Sequence, residues 1–119
     1  MSLDFDSARL RDPNLRPEHE EWRTQLRRFI DREIMPHVDD WDEACRIPDE
    51  LWPKAAAIGL LGLGYPEAYG GTAEGIDIYH LNIVAEELAR TSLGGINSTL
   101  LVHGIGLPPV VHFASDEMK

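Results

Sequence analysis

The sequence predicts an all-α fold of about five to six helices. In the two longest segments, apolar residues recur at three- and four-residue spacing. No segment alternates apolar and polar residues as a half-buried strand would. Proline and glycine fall between the periodic segments, where helices start and stop. With 119 residues, 43% hydrophobic and 27% charged, the chain suits one domain with a core and excludes a disordered or low-complexity polypeptide.

The first helix is expected from Pro17 to Met35. Pro17 suits a first-turn position, and Glu18, Glu20 and Glu21 favour the positive end of the helix dipole. Trp22, Leu26, Phe29, Ile30 and Ile34 share one face, with Arg23, Arg27, Arg28, Asp31 and Arg32 on the other. Pro36 stops it. A short acidic helix over Val38 to Ala44 follows, with Trp41 as its inward anchor. Pro48 and Asp49 open a third helix through Leu51, Trp52, Ala55, Ala56 and Ile58, which Gly59 closes as a left-handed cap. Residues 59–71 are too rich in glycine for a helix and read as an ordered apolar loop.

The clearest helix spans 76–92. Ile78, Leu81, Val84, Ala85 and Leu88 form its expected buried stripe; Asn82, Glu86 and Arg90 take the wet side, the last two spaced as an i,i+4 pair. Gly94 and Gly95 end it. Residues 96–107 are apolar nearly all round, which predicts a central helix, and Pro108 and Pro109 start another through Phe113. Ser115, Asp116 and Glu117 read as one more helix start, so the natural polypeptide is expected to continue past Lys119.

Lys and Arg number 11 against 21 Asp and Glu, a net charge of −10. That excludes a nucleic-acid backbone or an anionic membrane as main partner. One cysteine, Cys45, cannot make an internal disulfide or a thiolate zinc site. No apolar run is long enough to span a membrane, and Met1 to Asp12 hold no signal-peptide core, so a cytoplasmic protein is expected.

The candidate chemical motifs fail one by one. Gly59, Gly62 and Gly64 do not match G-x-G-x-x-G, and no strand precedes them. His19, His37, His80, His103 and His112 show no metal-ligand spacing. Cys45, with the acids Asp42 and Glu43 just before it, makes a poor nucleophile. Glu86 and Glu87 point about 100° apart on a helix and cannot flank one bond. Asp39, Asp40, Asp42 and Glu43 read as a solvated face. No complete catalytic machine is present.

Taken in order, several segments resemble the N-terminal helical domain of acyl-CoA dehydrogenases. They are a helix running into Ile34-Met-Pro36, then Ile47-Pro-Asp-Glu-Leu-Trp52, the 59–71 loop, Ala85-Glu-Glu-Leu-Ala-Arg90, and the stretch from His103 to Lys119. Pro66-Glu-Ala-Tyr-Gly-Gly71 is the most specific piece. The resemblance covers residues 17–119 and leaves 1–16 as an N-terminal extension.

The resemblance implies an irregular orthogonal helical bundle. It also implies a β-domain and a C-terminal helical domain, both absent from this chain, with FAD between them. In such enzymes a carboxylate, usually in the C-terminal domain, removes the α-proton of an acyl-CoA, and the β-hydrogen leaves as hydride to the flavin. Electron-transferring flavoprotein as acceptor and a homotetramer are implied too. Matching Leu100 to Lys119 places Leu101, Val102 and Ile105 toward the fatty chain, with plain core packing as the equal reading of those three. No catalytic, cofactor-binding or metal residue is carried over, so the 119-residue piece is expected to be inactive alone. The alternatives are a stand-alone acidic helical module that binds a partner through an apolar groove, and a flavin oxidase or monooxygenase of the same fold.

Overall fold

The computed structural model describes residues 6–10 and 12–119. Positions 1–5 and 11, which belong to the expected N-terminal extension and to the stretch read for a signal peptide, lie outside the described residues. The helices are α1 (Pro17–Glu33), α2 (Val38–Ala44), α3 (Leu51–Ala57), α4 (Ile78–Ala89), α5 (Gly94–Leu100) and α6 (His103–Phe113). Among the described residues there is no strand, only one bridge between Leu63 and Thr72. The all-α expectation holds.

In α1, Trp22, Leu26, Phe29, Ile30 and Ile34 are buried as the period requires. Arg23 departs from the expectation: it is only 5% exposed, for a reason that lies on α4. The helix ends at Glu33, and Met35–His37 form a single 3-10 turn closed by the His37 N–H on the Ile34 carbonyl at 3.0 Å. Pro36 has no N–H with which to continue the α-helical ladder. α2 has its expected bounds, but Val38 is its buried residue; Trp41 is half-buried and stacks on His37 at 5.3 Å. Its acids Asp39, Asp40, Asp42 and Glu43 are exposed, as a solvated face should be. Gly59 closes α3 with a φ of +83°, a conformation that costs glycine little.

α4 differs most from its sequence pattern. Its buried residues are His80, Ile83, Val84, Glu87 and Leu88, so Val84 and Leu88 stay inside while Ile78, Leu81 and Ala85 turn outward. The expected Glu86–Arg90 pair does not form. Glu86 meets Arg23 at 2.7 Å, and Arg90 meets Asp31 at 3.2 Å and Glu87 at 3.3 Å. Gly94 and Gly95 do not end α4; they open α5, and Ser92 makes the left-handed turn between the two helices with a φ of 59°. Residues 96–107 are not one central helix either. The chain breaks at Leu101 and Val102, and α6 runs through Pro108 and Pro109 instead of starting at them. Leu100 is fully buried, but α6 has no buried residue.

The thickness of the domain accounts for that. It measures 44 × 40 × 20 Å, and 20 Å is about two helix diameters. α1 and α4 occupy the middle, where Leu26, Ile30, Val84 and Leu88 belong to one core with Leu51 and Leu100. α6 lies at the edge of the slab. Leu88→Ala is expected to destabilise the chain by about 2–5 kcal/mol in urea unfolding, whereas Ile78→Ala on the outward face should cost about 0.5 kcal/mol or less. Equal costs would mean that the α4 face has been assigned wrongly.

Candidate functional site

Glu87 is 1% exposed, which is unusual for a carboxylate. Three arginines account for it. Arg27 donates from Nε at 2.9 Å and from Nη2 at 2.7 Å, Arg23 from Nη1 at 3.1 Å, and Arg90 from Nη1 at 3.3 Å. Burial pushes the Glu87 carboxyl up, but the hydrogen bonds from Arg27 and Arg23 outweigh it and hold the group below the usual carboxylate value. A carboxylate so stabilised as an anion is a poor general base. Arg23 also bridges to Glu86, so the adjacent acids share a cation but not a substrate bond.

A second polar tie joins the other ends of α1 and α4. Asp77 caps α4 through the N–H groups of Tyr79 at 3.0 Å and His80 at 3.4 Å. His19, fully buried in α1, places Nε2 at 2.9 and 3.0 Å from the two Asp77 oxygens, and Arg16 reaches Oδ2 at 3.2 Å. Desolvation opposes ionisation of Asp77, but hydrogen bonds from His80 and His19 carry its carboxyl down to about 2.

The fold therefore brings together two histidines that the sequence kept 61 residues apart, and their ligand atoms and a carboxylate oxygen lie within 4.8 Å of one another. The hydrogen-bond pattern favours a cap over a metal centre. His19 Nδ1 accepts the Arg16 backbone N–H at 2.9 Å, so the neutral ring carries its proton on Nε2 and donates to Asp77. A cation would need that lone pair free.

The glycine loop uses its own donors. Gly64 N–H donates to the Thr72 carbonyl at 2.8 Å, Thr72 N–H to Gly62 at 2.9 Å, Gly70 N–H to Glu67 at 3.0 Å and Gly71 N–H to Pro66 at 3.1 Å. With these amides spent inside the loop, the loop does not form an FAD phosphate cradle. Gly71 is required by space: a Cβ there would fall 2.2 Å from the Tyr65 carbonyl oxygen. Burial pushes the Tyr65 phenol up, so it remains a donor at neutral pH, and its hydroxyl lies 3.4 Å from the His103 carbonyl oxygen.

Leu101, Val102 and Ile105 do not share one cavity within this chain. Leu101 is half-buried and lines an apolar cavity of about 470 Å³ with Leu60, Tyr65, Leu81, Val84 and Pro108. Val102 and Ile105 do not line it and stand 57% and 82% exposed. Sequence reasoning missed both polar ties. Asp77 had a legible signal, an acid just before an apolar helical run. The Arg23–Glu87 contact, 64 residues apart, had none.

A family profile described as "Acyl-CoA dehydrogenase, N-terminal domain" matches residues 16–119. The chain is 37% identical over 101 residues to the mitochondrial long-chain specific acyl-CoA dehydrogenase of Sus scrofa, covering 84% of this chain and 23% of the relative. It is 34% identical over 104 residues to the probable acyl-CoA dehydrogenase fadE25 of Mycobacterium leprae, covering 86% and 25%. The crystal structure of an acyl-CoA dehydrogenase from Geobacillus kaustophilus superposes with a TM-score of 0.76 at 32% identity, covering 92% of this chain and 28% of that one. The chain thus spans about a quarter of the length of these relatives.

Two measurements test the polar ties. Glu87→Ala removes the carboxylate shared by Arg23, Arg27 and Arg90 and leaves Arg23 only the half-exposed Glu86 and Glu20, and is expected to cost about 2–3 kcal/mol in urea unfolding; a loss below about 1 kcal/mol would mean that water replaces the carboxylate. The folded-state Asp77 carboxyl, at about 2, lies below its unfolded value of about 3.9. Its stabilisation is therefore complete above about pH 4 and lost as pH falls toward 2. A Tm-against-pH series should show that acid loss flattened in Asp77→Asn.

Proposed function

The chain belongs to the acyl-CoA dehydrogenase family as its N-terminal domain, and from that premise we propose that it forms one wall of the acyl pocket in an FAD-dependent enzyme that oxidises acyl-CoA thioesters. The observation that carries this reading is the uncovered apolar surface at the start of α6, where Val102 and Ile105 are exposed and the preceding Leu101 lines the neighbouring cavity. A saturated acyl tail is held by burial, at about 0.8 kcal/mol per CH₂, and needs such a surface. An apolar wall also excludes water from a site of hydride transfer.

The same reading assigns the chemistry to parts outside this chain. Glu87 and Asp77 are committed to ion pairs that favour their charged forms, and neither suits proton abstraction. In this proposal residues 17–119 are the helical domain and 1–16 an extension. A β-domain and a C-terminal helical domain hold FAD and the catalytic base, and the flavin supplies hydride acceptance when bound. An acyl-CoA substrate, electron-transferring flavoprotein as acceptor and a homotetramer belong to the same proposal, as does a cytoplasmic site of action. Among the described residues no helix is long and apolar enough to cross a membrane. The exposed face of α6 also supports a second reading, a partner-binding module, which ranks below the first because the family match runs through α6 itself.

In the complete enzyme, Leu101→Glu is expected to shift the kcat/KM preference away from long apolar acyl chains by about tenfold or more, since a buried unpaired carboxylate opposes an apolar tail. Unchanged chain-length selectivity would return Leu101 to ordinary core. The isolated 13.4 kDa chain, mixed with acyl-CoA and an artificial electron acceptor, should give no dehydrogenation. Turnover would overturn this assignment of parts.

A further inference from the structure

Leu101 and Val102 form the link between α5 and α6, and the first turn of α6 has no side-chain cap of its own. One side chain reaches that turn from outside. The Tyr65 hydroxyl lies 3.4 Å from the His103 carbonyl oxygen, and its ring centroid lies 6.1 Å from that of His103. Tyr65 is itself held by a closed loop: the Leu63–Thr72 bridge pins its base, and Gly71 packs on its carbonyl with no room for a Cβ. Tyr65 and Leu101 line the same cavity, with Leu81, Val84 and Pro108 as neighbours. The glycine loop is therefore a stiff bracket that presents one phenol ring to the start of α6.

Resting on the acyl-wall reading above, we infer that Tyr65 is a positioning residue that sets where Leu101 stands and so how long an acyl chain the pocket accepts. A rigid ring at this joint fixes the first turn of α6 against the loop. At 3.4 Å the hydroxyl contact is long, so the ring body supplies most of the restraint and the hydroxyl a smaller part. Shortening the side chain lets the first turn settle toward the cavity and carries Leu101 with it.

The test uses the complete enzyme with Tyr65→Ala, Tyr65→Phe and Leu101→Glu. Calorimetry gives the Kd of unreactive long-chain and short-chain acyl-CoA thioether analogues, and kinetics gives KM and kcat separately. Tyr65→Ala is expected to change the long-to-short Kd ratio by about three- to tenfold and Tyr65→Phe by about twofold, with the change falling on KM. A merely structural tyrosine would lower Tm and leave the ratio where it was. If Tyr65→Ala does not fold, Tyr65→Leu takes its place, and an unchanged ratio there overturns the inference. If Leu101→Glu moves the ratio and neither Tyr65 variant does, this inference alone falls. If none of the three moves it, the acyl-wall reading falls and takes this one with it.

Discussion

The pairing of α1 with α4 is the contact on which the other helices depend, and a buried carboxylate sets its geometry. Apolar side chains between two helices attract without direction, so burial alone tolerates sliding and rotation. Glu87 does not tolerate either, because Arg23 and Arg27 of α1 must both reach it. Ten residues away along α4, about 15 Å, Asp77 meets His19 and Arg16. Two polar ties at opposite ends of one interface fix both the register and the rotation of α1 on α4.

That constraint explains why α4 shows its neighbours a face the hydrophobic pattern does not choose. Ile78 and Leu81 are as apolar as Ile83, Val84 and Leu88, so period alone admits two stripes. Glu87 and His80 lie on the second stripe, and their partners on α1 draw that stripe inward. The apolar residues left outside are not wasted, since Leu81 and Ala85 line the cavity between α4, the glycine loop and α6. α4 thus serves two interfaces, one polar and registered, the other apolar and open.

The same division runs through the whole domain. Its buried ionisable groups are committed to internal ties, and its glycine-loop amides to internal turns. Its outward surface carries the exposed acids of α2 and, on α6, exposed apolar side chains. The doubly tied α1–α4 pair is the rigid base on which that apolar surface is carried.

The sequence by itself determined the all-α class, the bounds of α2, the buried face of α1 and the Gly59 turn. Each rests on residues near in the chain: a period, a proline, a glycine at positive φ. It also carried the family, because an ordered series of local motifs survives without knowledge of packing. Only the tertiary structure decided which stripe of α4 is buried, that Arg23 lies inside, that Gly94 and Gly95 begin a helix, and that α6 sits at the edge with Val102 and Ile105 outward and Leu101 turned to the cavity. Two physical reasons lie behind the α4 stripe, the buried Arg23 and the position of α6. A buried charge is affordable only beside its partners, and an apolar helix is central only where the domain is thick enough to cover it; both depend on residues tens of positions away.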